Sequence, residues 1–120
     1  MVQTIIAEDD PVAGKILSIM LSNMNAEVTQ VTDGQSLLTH VQKQSFQLAF
    51  VDYRLPDLKA TEILRTLKNI RPKLPVVIQS AHVSSNMREE LIREGADEII
   101  EKPVSKNQIA ALLRKYTVAE

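Results

Sequence analysis

Short apolar segments alternate along the whole chain with longer stretches whose apolar residues recur at helical spacing, and no other feature of the sequence constrains the fold as much. A short strand followed each time by an amphipathic helix is the pattern of βα units laid on a parallel sheet. Five segments read as strands: Thr4 to Glu8, Glu27 to Thr32, Gln47 to Asp52, Pro75 to Ala81 and Glu98 to Lys102. The second is the least regular, because Val28 and Val31 do not alternate cleanly.

The intervening stretches carry their own start and stop signals. Asp10 is placed to cap a first helix with Pro11 at its first position. Val12, Ile16, Ile19 and Met20 then share a face at i, i+4, i+7 and i+8, which predicts the buried side of that helix. Leu37, Leu38 and Val41 form a short stripe after Asp33-Gly34, and Ile63, Leu64, Leu67 and Ile70 a fuller one ended by Pro72. A fourth helix, about Ser84 to Glu94, has only Met87, Leu91 and Ile92 to anchor it before Gly95. Ser105 with Gln108 makes a capping box for the last helix, whose Ile109, Leu112, Leu113 and Tyr116 repeat at i, i+3, i+4 and i+7. Met20, Met24 and Met87 read as packing residues and His40 as a surface residue. Five such units predict a doubly wound α/β sheet whose strand order reverses between the first and third strands. Ligands of such sheets gather at the strands' carboxyl ends beside the reversal.

A chain of 120 residues closes one hydrophobic core, so residues 1–120 are expected to form a single domain. With 44% hydrophobic residues, 24% charged residues and a formal charge of −1, the chain reads as a soluble protein without general attraction to nucleic acid or anionic membranes. The absence of cysteine excludes disulfides, thiolate catalysis and cysteine-based metal sites, and fits a cytoplasmic location. The opening MVQTIIAEDD lacks the basic flank and long apolar core of a signal peptide, and the longest apolar run, Ile109 to Leu113, is too short to cross a bilayer.

Against that background the segment QLAFVDYRLPD is conspicuous, since an apolar strand ends on a carboxylate, Asp52. The other strand ends are polar too: Glu8, Asp9 and Asp10 follow the first strand, Ser80 the fourth and Lys102 the fifth. Carboxylates converging in a partly desolvated pocket repel one another and call for a positive charge. An oxygen-only ligand set without His or Cys favours a hard ion that keeps several waters, Mg²⁺ rather than zinc. Held against such an ion, Asp52 stays ionised and is able to attack phosphorus, forming an aspartyl phosphate. Lys102 would neutralise the transferring oxygens and the Ser80 hydroxyl would donate to one of them.

These residues, in this order and spacing, resemble the receiver (response-regulator) domains of two-component phosphorelay signalling. The resemblance runs through nearly the whole chain, from IIAEDDPV through VDYRLPD and VVIQSAH to GADEIIEKPV. It implies a flavodoxin-like (βα)5 fold with strand order 2-1-3-4-5. It also implies Asp52 as the phosphorylated aspartate, Glu8 and Asp9 as the acidic pair serving Mg²⁺, and the backbone carbonyl of Arg54 as a third protein ligand. Ser80 would take the family's hydroxyl position, and Lys102, before Pro103, its lysine position. The strings EDDPV and SAH are similar to those of hybrid sensor kinases. The implied partners are a histidine kinase or histidine phosphotransfer protein and a downstream output domain or protein. The implied chemistry is acceptance of a phosphoryl group and its slow loss to water, with no conventional substrate turnover.

Two positions depart from the family pattern. Lys59-Ala60 stands where Asp-Gly is frequent, and Ile99 occupies the usual aromatic switch position, so a readout based on turning a Tyr or Phe inward is not available. These departures support a second reading, a degenerate receiver that works as an interaction module without phosphorylation. A third, a haloacid-dehalogenase-like phosphatase, is opposed by Arg54 where such enzymes carry a second acid and by the lack of a cap domain.

Overall fold

The computed structural model describes residues 1–117. Ten elements alternate along the chain: β1 (Val2–Ala7), α1 (Pro11–Ser22), β2 (Ala26–Val31), α2 (Gly34–Lys43), β3 (Leu48–Asp52), α3 (Ala60–Ile70), β4 (Val76–Ser80), α4 (Ser85–Arg93), β5 (Glu98–Glu101) and α5 (Lys106–Tyr116). The strands form one sheet in the order β2-β1-β3-β4-β5, and every pairing is parallel. The doubly wound architecture read from the alternation is therefore the one observed.

Side-chain alternation along the strands explains why helices cover both faces. Ile5, Ala7, Ala49, Val51, Val76 and Ile78 point into one core with residues of α2, α3 and α4, such as Leu37, Ile63 and Leu91. Ile6, Leu48, Phe50 and Val77 point the other way, against Leu17 and Leu21 of α1 and Ile109 and Leu112 of α5. Both faces being apolar, β3 and β4 read as continuous buried runs rather than alternating ones. The irregular pattern of β2 follows from its place at the sheet edge, where only Ala26 and Val31 are buried.

Several sequence expectations need correction. The first strand starts at Val2 and ends at Ala7, leaving Glu8 just past it, and the others differ from their expected spans by a residue or so at an end. More consequential is α1: Val12, Ile16 and Ile19 are 66%, 50% and 50% exposed, and the buried edge is Gly14, Leu17 and Leu21. This helix is apolar nearly all round, so two stripes fit its periodicity, and the sheet takes the one that meets Ile6 and Phe50. On α4 only Leu91 is fully buried, while Ile92 faces outward, which makes its anchorage as thin as its sequence suggests. The expected caps stand as read, with Asp10 accepting from the Val12 and Ala13 N–H groups and the Ser105/Gln108 box closed in both directions.

Candidate functional site at the carboxyl ends of the strands

Parallel strands all end at the same edge, so every polar residue that terminates a strand is delivered to one place. β1 and β3 are neighbours, with Ala7 opposite Val51, which sets Glu8 and Asp9 beside Asp52. One ligand oxygen from each of Glu8, Asp9 and Asp52 lies within 4.8 Å of the others. On the far side β5 pairs with β4, and the Lys102 N–H donates to the Ser80 carbonyl at 2.8 Å. From there the Lys102 side chain reaches back across the sheet edge. Its Nζ lies 2.7 Å from Glu8 Oε1 and 3.2 Å from Asp52 Oδ1. The Lys102–Pro103 peptide bond is cis.

Burial gives this cluster its electrostatic character. Glu8 is 1% exposed and Asp52 7%, at the ends of strands whose buried side chains are mainly apolar. Desolvation pushes the Glu8 carboxyl above its ordinary value of 4.5, and the hydrogen bonds from Lys102 and the Asp10 N–H offset this only in part. Lys102 is held above its ordinary 10.5, because Glu8 and Asp52 outweigh the desolvation that opposes its charge. With all three acids ionised, three negative charges face one ammonium, and a divalent cation would balance the remainder. The donors available to it are oxygens, as a hard ion such as Mg²⁺ requires.

The remaining expected residues are placed less uniformly. Asp10 stands next to the cluster in sequence but is spent as the α1 cap. Ser80 is buried at the end of β4, beside β3, and its hydroxyl donates to the His82 carbonyl at 2.9 Å rather than into the cluster. Arg54 is exposed, with its guanidinium 5.9 Å from the centre of the Tyr53 ring and its backbone bridged antiparallel to Lys59. His82 and His40 are exposed, and the His40 ring meets the Ser36 carbonyl one turn back, at 2.9 Å. A residue that the sequence reading passed over is Gln79, buried in β4 opposite Asp52, whose carbonyl accepts from the Tyr53 N–H at 2.8 Å and so fixes the first residue after Asp52. A glutamine interrupting an all-apolar strand was the signal available for it.

Residues 4–114 match the family model of the response regulator receiver domain. The sensor protein GacS of Pseudomonas syringae pv. syringae is 31% identical over 115 residues, covering 92% of this chain and 13% of that protein. The signal transduction histidine-protein kinase BarA of Escherichia coli K12 is 25% identical over 120 residues, again covering 13% of its length. The chain thus spans about an eighth of the sensor kinases it matches. Among solved structures, the receiver domain of sensor histidine kinase PA1611 from Pseudomonas aeruginosa PAO1, with a magnesium ion coordinated in its active site cleft, superimposes with a TM-score of 0.89 at 22% identity, covering 98% of each chain. A CheY-like receiver domain protein from Methanospirillum hungatei JF-1 gives 0.90 at 23% identity, over 96% of this chain and 92% of that one.

Proposed function

The chain belongs to the response regulator receiver domain family, which signals by phosphorylation in two-component phosphorelays, and we propose that it does so by accepting a phosphoryl group on Asp52. The observation that carries this reading is the meeting of Glu8, Asp9, Asp52 and Lys102 at one sheet edge. A carboxylate oxygen of Asp52 attacks phosphorus, the phosphorus–nitrogen bond of a phosphohistidine breaks, and the imidazole nitrogen leaves with the electron pair and takes a proton from solvent. The product is an acyl phosphate, which water attacks at phosphorus to give inorganic phosphate and the free carboxylate. No general base is required, since the nucleophile is already an anion.

Each neighbour has a part in that step. Lys102 sits close enough to Asp52 to place its positive charge on the transferring oxygens. The Ser80 hydroxyl gives up its bond to the His82 carbonyl and donates to a phosphoryl oxygen instead. Glu8, Asp9, Asp52 and the backbone carbonyl of Arg54 would hold Mg²⁺, which supplies further neutralisation of phosphoryl charge. The exposed Val12, Ile16 and Ile19, one face of the helix that starts beside the cluster, give a phosphohistidine-bearing kinase or phosphotransfer protein an apolar surface on which to seat. Such partners work in the cytoplasm, where we place this domain; among the described residues no helix is long and apolar enough to cross a membrane. Ile99 is 4% exposed and carries no ring to turn inward, so the response passes to a partner or output domain by some other displacement of the surface.

Asp9→Ala tests the metal part of this reading. Loss of a partner outside the ligand shell commonly lowers metal affinity about 10- to 100-fold, so loss of a direct ligand is expected to weaken Mg²⁺ binding at least about tenfold. In the same variant, beryllofluoride with Mg²⁺ is expected to leave the melting temperature unchanged while raising that of the wild type. Normal Mg²⁺ affinity in Asp9→Ala would remove Asp9 from the site.

A further inference from the structure

The turn that follows the acceptor strand is fastened to a helix that takes no part in the cluster. A helix start leaves its first N–H groups without partners inside the helix. At α2 the cap Asp33 takes one of them, the Ser36 N–H, at 2.7 Å. The other two go to a residue from the β3–α3 connection: Asp57 accepts from the Gly34 N–H through Oδ1 at 2.8 Å and from the Gln35 N–H through Oδ2 at 2.9 Å. What burial the Asp57 carboxyl has would raise its pKa, yet these N–H bonds hold it below the ordinary 3.8. Leu58 closes over the same spot, where a Cβ on Gly34 would stand 2.9 Å from Leu58 Cδ1. The far end of α2 is held from the other end of α3, where the C-cap residue Arg71 donates through Nε to the Val41 carbonyl at 3.1 Å. An anion at the positive end of the helix and a cation at its negative end both suit the helix dipole.

The turn itself has a base and a tip. Arg54 and Lys59 pair across an isolated antiparallel bridge, which closes residues 54–59 into a loop with Asp57 on its outer part. We propose that Asp57 is a positioning residue for the phosphoacceptor site: by tying the tip of this turn to the start of α2, it holds the Arg54 backbone where a cation in the acidic cluster takes its carbonyl. The inference rests on the reading of Arg54 as a ligand given above and goes beyond it by naming what fixes that ligand. Without the tie, the tip of the turn is held less firmly before the cation binds, and the entropy of ordering it then weakens binding.

A residue that merely caps α2 would behave like Asp33, and that comparison decides the matter. Asp57→Ala and Asp33→Ala each remove carboxylate bonds from the same helix start, and both are expected to lower stability toward urea. Mg²⁺ alone, titrated while the backbone amide signals are followed by NMR, is expected to bind Asp57→Ala about tenfold more weakly than wild type, in the range of supporting residues around metals. Asp33→Ala should keep wild-type affinity. Asp57→Asn, which keeps one acceptor oxygen, should fall between and serves where Asp57→Ala does not fold. Unchanged affinity in the Asp57 variants, or an equal loss in Asp33→Ala, overturns the inference while leaving the site reading in place. Wild-type protein that binds no Mg²⁺ overturns both.

Discussion

Asp52→Asn is expected to form no acyl phosphate with a phosphohistidine partner or with acetyl phosphate, and to melt at or above the wild-type temperature when no divalent cation is present. The two halves of this result have separate causes. An amide oxygen is not an anionic nucleophile, so the covalent step is lost altogether. Stability survives because the side chain keeps its volume at a buried strand end, and the pairing lost with Lys102 at 3.2 Å is set against repulsion of Glu8 that is lost with it. Asp52 is one of the charges that push the Glu8 carboxyl up, so neutralising it relieves repulsion inside the cluster. The added stability conferred by Mg²⁺ on the wild type should shrink in the variant, since a hard ligand has gone. Intact mass after reaction, with thermal melting in chelator and in Mg²⁺, checks all three statements. A stable variant that still acquires the phosphoryl group would place the acceptor elsewhere.

Lys102→Met is expected to act in the opposite sense on stability. Lys102 is the cation bonded to Glu8, whose side chain is only 2% exposed, and removing one partner of a buried pair leaves an uncompensated charge. The loss should be about 3 kcal/mol at neutral pH without divalent cation, at the lower end for such pairs because Lys102 itself is partly solvated. Its pH dependence follows from Glu8. A carboxyl whose folded value lies above the unfolded 4.5 binds more protons folded than unfolded, so its contribution to stability is present below 4.5 and lost as pH rises through the raised value. Without Lys102 that value rises further, and the deficit relative to wild type grows across the same window and is small in acid. Adding Glu8→Gln to Lys102→Met should recover much of the stability, because the orphaned charge is then absent. Phosphoryl acceptance should stay impaired in both, as neither has an ammonium beside Asp52. Urea denaturation at neutral pH and below pH 4.5 reads the stability terms. Equal deficits at both pH values would separate Lys102 from Glu8.

The fold was readable because its strongest signals are local and repeat. Continuous apolar runs at β3 and β4 against helical spacing between them leave little besides a parallel sheet with helices on both faces. The meeting of the candidate site residues was readable for a related reason: parallel strands bring their last residues to one edge, so acids and a lysine placed just after apolar runs had to meet. What failed to show in the sequence depended on a choice between equivalent local options or on a distant partner. Val12, Ile16 and Ile19 have the periodicity of a buried stripe, and only the shape of the sheet selects Leu17 and Leu21 instead. Asp57 looks like an ordinary turn residue after Pro56 because the two N–H groups it binds belong to residues more than twenty positions earlier. The Ser80 hydroxyl was rightly placed at the strand end, yet its bond to the His82 carbonyl is a rotamer choice that no residue pattern specifies.

In the proposed function Asp52 takes the phosphoryl group in a step that needs a divalent cation. Wild-type protein incubated with acetyl phosphate, with Mg²⁺ or with chelator, and then cleaved for peptide mass mapping, tests it most directly. The predicted result is a single phosphoryl adduct on the peptide containing Asp52, formed with Mg²⁺ and absent with chelator. No adduct under either condition, or one on a peptide without Asp52, would contradict it.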